Sequence, residues 1–347
     1  MHLLVFIALC LLGVDQYAPA LDPFQFKLSK KETNMLHYQY VDRNGTVVLD
    51  AKRFREARSF SNGLAAVLAD NQLWGFIDKT GKVAIAPTYE DVGDFSEGLA
   101  AVRLPEDTSG WTQTGWIFID TAGREQFHVD FDIVYDFSEN VALAQGEEAV
   151  YLIEKNGNVR KLFSLRDLSL GPESRPRFRE GLLVVRDVKT GKYGFINAYG
   201  EMVIAPNYVD AASFKENVAR VTINEGGSHL LGFVRKDASL VISPRFDIDF
   251  DFLRNSRDFS EGLAGVALID DSNLAGPQFI FINKAGETIF STESIDVGNF
   301  YEGVTFFFDI KSEKYGYLDS SGRTIIPPRY ERADDFSEGL ACVAING

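Results

Sequence analysis

Trp74-Gly75-Phe76-Ile77-Asp78-Lys79-Thr80-Gly81, then Val83-Ala84-Ile85-Ala86-Pro87 and Tyr89, then Asp94-Phe95-Ser96-Glu97-Gly98-Leu99-Ala100-Ala101-Val102, is the stretch on which the fold turns. Side chains of a strand alternate between faces, so Trp74 and Phe76 share one side and Gly75 and Ile77 the other. Asp78-Lys79-Thr80-Gly81 reads as a hairpin connection. Asp bonds nearby backbone there, and Gly accepts the left-handed conformation that closes the turn. Val83-Ala84-Ile85 returns as a second strand, and Pro87, with no N–H to donate, is expected to stop it. A third strand should lead into Phe95, Ser96-Glu97-Gly98 turns again, and Leu99 to Val102 forms a fourth. Its alanines would let a neighbouring sheet approach closely.

Outward from this stretch the pattern recurs. The turn glycine returns at Gly45, Gly81, Gly123, Gly157, Gly200, Gly286 and Gly322, with Ala238 in its place once. A phenylalanine follows at Phe60, Phe95, Phe137, Phe178, Phe214, Phe259, Phe300 and Phe336. Five of these eight copies keep an interval of 14 residues, which chance does not do; the copies at Gly157 and Ala238 stretch it to 21, an insertion of seven. Proline recurs at Pro87, Pro206, Pro244 and Pro328. Units of three or four short strands cannot bury their apolar faces alone, so they must pack on one another. One buried Phe per unit contributes about 1.5–3 kcal/mol.

The motif at 74–81, with the later Ala-Pro, Tyr and Phe-Ser-Glu-Gly-Leu-Ala, resembles the WG-repeat (KWG repeat) family. Trp or Tyr before Gly is kept at Trp74-Gly75, Tyr193-Gly194 and Tyr315-Gly316. It is degraded at Trp116-Ile117, Leu231-Gly232, Phe279-Ile280, Val150-Tyr151 and Tyr38-Gln39. The resemblance covers residues 38–347. It implies β-rich repeats, common in exported bacterial proteins, and brings no catalytic residues to transfer.

The fold class expected is therefore all-β, with eight tandem repeats of three to four short antiparallel strands. A closed propeller-like ring is favoured, with an open β-solenoid as the alternative. The repeats begin at Tyr38 and end on a strand at Val343, and no terminal strand looks reserved for closing a ring. Residues 21–37 form a lead-in segment. Before it, Leu3 to Val14 is almost wholly apolar, too short to span a bilayer, and Ala18-Pro19-Ala20 offers a small-x-small cleavage site. This reads as a signal peptide at 1–20, although Met1-His2 lacks the usual basic residue. The expected location is exported (periplasmic, cell surface or secreted), with an N-terminal membrane tether as the alternative. No other run could span a membrane. With Cys10 in the leader, Cys342 has no partner for an internal disulfide.

The 28 Phe and 13 Tyr favour strands. A net charge of −15 leaves no basic footprint for phosphate neutralisation, so nucleic acid is not an expected partner. His37, His128 and His229 have no second His or Cys at metal-ligand spacing, and no nucleophile elbow, phosphate loop or calcium loop is present. Two acidic-aromatic stretches stand out, Asp130-Phe131-Asp132-Ile133 and Asp247-Ile248-Asp249-Phe250-Asp251-Phe252, and alternation on a strand would place Asp247, Asp249 and Asp251 on one face. A hard cation could bridge them, but a solvated face opposite buried Ile and Phe is the simpler reading. Asn44-Gly45-Thr46, a glycosylation pattern, is turn chemistry in a bacterial protein. No catalytic, cofactor-binding or metal-ligating residue is assigned, and no cofactor is expected. The expected function is an exported, non-catalytic binding module whose insertions at 103–113, 166–177, 247–257 and 268–278 meet a protein partner. Alternatives are a carbohydrate or cell-wall (envelope glycan) binder using exposed aromatics such as Trp111, and a propeller-type hydrolase with acidic residues from different units converging on one face.

Overall fold

The computed structural model describes residues 36–105, 115–248, 256–268 and 278–347, and Met35–Gly347 forms one compact unit. The leader at 1–20, the lead-in up to residue 35, Cys10 and Trp111 lie outside the described residues. Every regular element among the described residues is a strand, and the strands group into eight small antiparallel sheets arranged as an eight-bladed propeller. Six blades have four strands; the sixth and seventh have three. Blade 1 is representative: Glu56–Ala57, Leu64–Leu68, Trp74–Asp78 and Val83–Tyr89, hydrogen-bonded in that order.

Each sequence repeat straddles two blades. Leu36–Val41 and Val47–Asp50, the first half of the first repeat, belong to blade 8. Its second half opens blade 1. Eight such units on a ring leave two strands over at each end of the array, and these meet. Arg332–Ala333 and Ala341–Asn346 complete blade 8 with the two N-terminal strands, and Leu36 pairs with Asn346 through to Val41 with Ala341. The expectation that no terminal strand closes the ring is thus corrected. The closing pair is not an extra element but the offset between repeat and blade. The first strand also begins at Leu36, two residues before the expected boundary at 38.

Apolar burial lies between blades. Eight clusters of buried residues fill the eight interfaces, and alternation along a strand feeds both neighbours. In Trp74–Asp78, Phe76 packs with Val92 and Phe95 of blade 2, whereas Ile77 packs with Tyr40 and Cys342 of blade 8. The repeated Phe residues are all buried, and seven of the eight meet an aromatic ring on the preceding blade. The pairs are Tyr40–Phe60, Phe76–Phe95, Phe118–Phe137, Phe195–Phe214, Phe233–Phe259, Phe281–Phe300 and Tyr317–Phe336, with centroids 4.7–5.3 Å apart. Such pairs contribute about 0.5–1.5 kcal/mol beyond their burial. Ala65, Ala100, Ala101 and Ala142 are fully buried on the second strands, where their size lets sheets close up.

A circle of polar contacts runs alongside. In the turns that follow the anchor Phe, Ser-Glu-Gly in three copies, the Glu adopts a left-handed backbone, φ 52–56° at Glu97, Glu139, Glu180, Glu216, Glu261, Glu302 and Glu338, as does Asn62. That conformation costs a non-glycine residue about 1–3 kcal/mol. Each of these side chains accepts a backbone N–H from the corresponding turn of the next blade: Asn62 from Gly98, Glu97 from Asn140, Glu139 from Gly181, and Glu180 from Asn217. The circle continues with Glu216 and Gly262, Glu261 and Gly303, and Glu302 and Gly339, and closes with Glu338 and Gly63. Lys79, Lys155, Lys236 and Lys284, from Asp-x-x-Gly-type turns, pair with four of the carboxylates.

Pro87 does not end its strand, contrary to expectation. Val83–Tyr89 runs through it, as the outer strands with Pro206, Pro244 and Pro328 do. These are edge strands, and their registers shift around the proline, where a missing N–H does no harm.

Candidate functional site: the axial channel

The shortest strand of a blade runs toward the anchor Phe, and the residue immediately before that Phe belongs to the inner edge of the ring. Around the blades this position holds Ser59, Asp94, Asp136, Arg177, Ser213, Asp258, Asn299 and Asp335. That these positions surround the axis follows from a contact between blades that are not neighbours. Arg175 of blade 4 reaches Asp94 of blade 2 at 2.5 Å as well as Asp136 of blade 3 at 3.2 Å. Neighbouring inner edges touch too: Arg58 Nη1 donates to Val92 O (2.9 Å) and Asp94 (3.3 Å), and Ser59 Oγ donates to Asp334 (3.2 Å). The Arg58 guanidinium also lies over the Trp74 ring, 4.3 Å from its centroid.

The five residues 172–176, the part of the seven-residue insertion that lies between Gly171 and Arg177, enter this channel. Glu173 accepts the Ser213 backbone N–H at 2.9 Å, and Arg175 forms the bridge just described. A cavity of ≈ 410 Å³ opens beside it, lined by Glu173, Arg175, Arg177, Arg179, Lys215, Arg220, Arg257, Asp210, Asp258 and Asn299 among others. A second, of ≈ 260 Å³, lies on the other side of Arg175 against Arg58, Arg103, Trp116 and Asp136.

Charge in the larger cavity is unevenly matched. Arg220 is buried and sits between Asp210 (3.1 Å) and Asp258 (3.3 Å). Lys215 pairs with Asp258, Arg257 with Asp296, and Arg175 with Asp94 and Asp136. Arg177 and Arg179, either side of the buried Phe178, make no ion pair and no side-chain hydrogen bond among the described residues. Burial, then the like charge of Arg179, holds the Arg177 guanidinium below the usual arginine range. Burial raises the Asp136 and Asp334 carboxyls, with Arg175 and Arg332 pulling them back, and it pushes Asp335 up to about 7. Ser213 Oγ, Asn299 Oδ1 and Asp335 Oδ1, all on the ring position before Phe, are buried and have no hydrogen-bond partner among the described residues.

Of the insertions expected to bind, only 166–177 is described throughout, and 171–177 is the part that reaches the channel. Residues 106–114, 249–255 and 269–277 lie outside the described residues, so of the other three insertions only the flanks are placed. Asp130 and Asp132 are exposed in the connection between two strands, Asp247 ends the strand Leu240–Asp247 and accepts a hydrogen bond from Ser228, and Asp249 and Asp251 lie outside the described residues. No group of metal-ligating side chains occurs among the described residues. His37 is half-buried on the first strand, and exposed His128 lies 3.2 Å from Glu125. His229 is half-buried on the strand Ser228–Val234. Asn44 is exposed at a turn. Cys342 is buried and free. The charged channel residues were missed in the sequence. Their signal was the variability of the position before each Phe, together with Arg179 and Lys215 standing where five copies have Ser.

A solved eukaryotic initiation factor is similar at 12% identity, over 88% of this chain and 87% of that one, with a TM-score of 0.51. Dipeptidyl peptidase 4 of Porphyromonas gingivalis is similar at 10% identity, over 77% of this chain and 52% of the other, with a TM-score of 0.44. At such identities the first likeness speaks to the fold alone. No curated protein matches the chain in sequence. The family model described as WG containing repeat matches residues 40–72, 74–104, 193–226 and 315–347. With the Gly-to-Phe interval, the blade built on it and these four matches spread along the ring, the chain belongs to the WG-repeat family.

Proposed function

We propose that this protein is an exported, non-catalytic binding module that docks a protein partner over the channel mouth, around the 171–177 insertion. One observation carries the reading. The eight copies repeat their structural positions while the position facing the axis changes from blade to blade, so a regular scaffold displays an irregular charged surface. A binding role is further supported by the state of four channel carboxylates. Asp94 and Asp136 are held by Arg175, and Asp210 and Asp258 by Arg220, so these four, from different blades, converge already engaged. Export rests on the apolar stretch Leu3 to Val14 and the Ala18-Pro19-Ala20 site.

Affinity capture from native cell envelope tests this, with residues 21–347 as bait and a bait lacking 173–176 as control, both checked for a cooperative melt. A protein retained by the intact bait and lost with the deletion supports the reading. Retention of the same proteins by both baits, or of glycan alone, overturns it.

A further inference from the structure

We propose that the ≈ 410 Å³ cavity at the channel is a binding site for a small organic oxyanion, a carboxylate or a phosphate ester, held by Arg177 and Arg179. Among the residues that line it are six cations and three acids, Glu173, Asp210 and Asp258, an excess of positive charge inside a chain whose net charge is −15. Arg175, Lys215, Arg220 and Arg257 are held by carboxylates, which fixes the wall. Arg177 and Arg179 are left with their donors free among the described residues, two residues apart on either side of a side chain locked in the core. A guanidinium presents a planar fork matched to two oxygens of a carboxylate or phosphate. Arg177, half-buried beside the like charge of Arg179, is in direct ion contact with neither Asp136 nor Glu173, and an anion between the two guanidiniums would relieve that repulsion.

Size and charge narrow the ligand. The volume lies at the low end of small-molecule pockets, about 300–1,000 Å³. A long polyanion such as a nucleic acid would be repelled by the acidic remainder of the molecule, whereas a compact anion whose few charges are seated inside the ring is not. Half-buried Asn299 lines the same cavity and adds a neutral polar side chain to its wall.

Isothermal titration of purified residues 21–347 with citrate, with glycerol 3-phosphate and with glycerol tests the site without any protein partner. Its outcome is therefore independent of the docking reading above. Citrate or glycerol 3-phosphate is expected to bind, and which of the two does so distinguishes carboxylate from phosphate recognition. Arg177→Gln and Arg179→Gln should each weaken binding about ten- to hundredfold, with Arg177→Lys recovering part of the loss. Neither arginine is ion-paired, so both Gln variants should melt no earlier than the parent. Binding of neither anion, equal binding of glycerol, or unchanged affinity in both folded Gln variants overturns the proposal.

Discussion

At the scale of single residues, the inner ring sets ionisable groups where water is scarce. Asp335 is the sharpest case. Its Oδ1 is buried without a hydrogen-bond partner and occupies the space where a Cβ on Gly298 would collide with it. Burial raises its carboxyl to about 7, against the pull of Arg257 and Lys215. A raised carboxyl binds its proton in the fold while the unfolded chain releases it. Stability therefore falls as pH rises from about 4 to about 7, and the penalty stays constant above that. Asp335→Asn keeps the shape and removes the titration. The variant should match the parent near pH 4 and exceed it at pH 8 by about 2–4 kcal/mol. Urea unfolding at both pH values checks this, and parallel curves for parent and variant would refute it. None of this was visible in the sequence. Asp335 follows Asp334 in what reads as one more acidic turn, and only the ring brings it against another blade.

Among elements, the outer strand explains the family's name motif. Gly75 faces a bulge, and a Cβ there would lie 2.6 Å from Ile85 O and 2.7 Å from Pro87 N, both backbone. Gly194, Gly232 and Gly316 face the same crowding from the strands that carry Pro206, Pro244 and Pro328. Blades whose third strand lacks this Gly, at Ile117, Tyr151, Ile280 and Gln39, have an outer strand without proline. Gly and Pro thus occur as a pair, four blades with both and four with neither. Gly75→Ala should cost about 1–3 kcal/mol, because backbone rather than a yielding side chain must move. The urea midpoint reads that loss, and an unchanged midpoint would show that the bulge is soft. The individual pieces were legible: alternation, the turn glycine, the anchor Phe and the recurring Pro each stood in the sequence. Their pairing was not, since the Gly and the Pro lie 12 residues apart and touch only once the hairpin has formed. The Ser-Glu-Gly turns hid more. Glu there read as turn chemistry, whereas its carboxylate reaches a backbone N–H on the neighbouring blade.

For the whole molecule, the number of copies was readable and the closure was not. Both a ring and an open array satisfy eight repeats, and the choice lies in where the blade boundary falls within the repeat. Because the boundary falls in mid-repeat, the last two strands complete a sheet begun by the first two, and the Glu338–Gly63 contact closes the polar circle at the same seam. This makes a direct prediction about cooperativity. In an open array, stability is a sum of units and neighbour contacts, so loss of a terminal unit lowers it modestly and leaves the rest folded. In the ring, deleting residues 332–347 strips Leu36–Val41 of its partner and uncovers the apolar faces of blades 1 and 7 together. Two of the eight buried clusters, those containing Tyr40 and Tyr317, lose one wall each. The deletion should therefore abolish the single cooperative thermal transition expected of residues 21–347 and leave a species that exposes apolar surface to a hydrophobic dye. A sharp transition only a few degrees lower would instead mean that the blades hold together as an open array and that the seam contributes little.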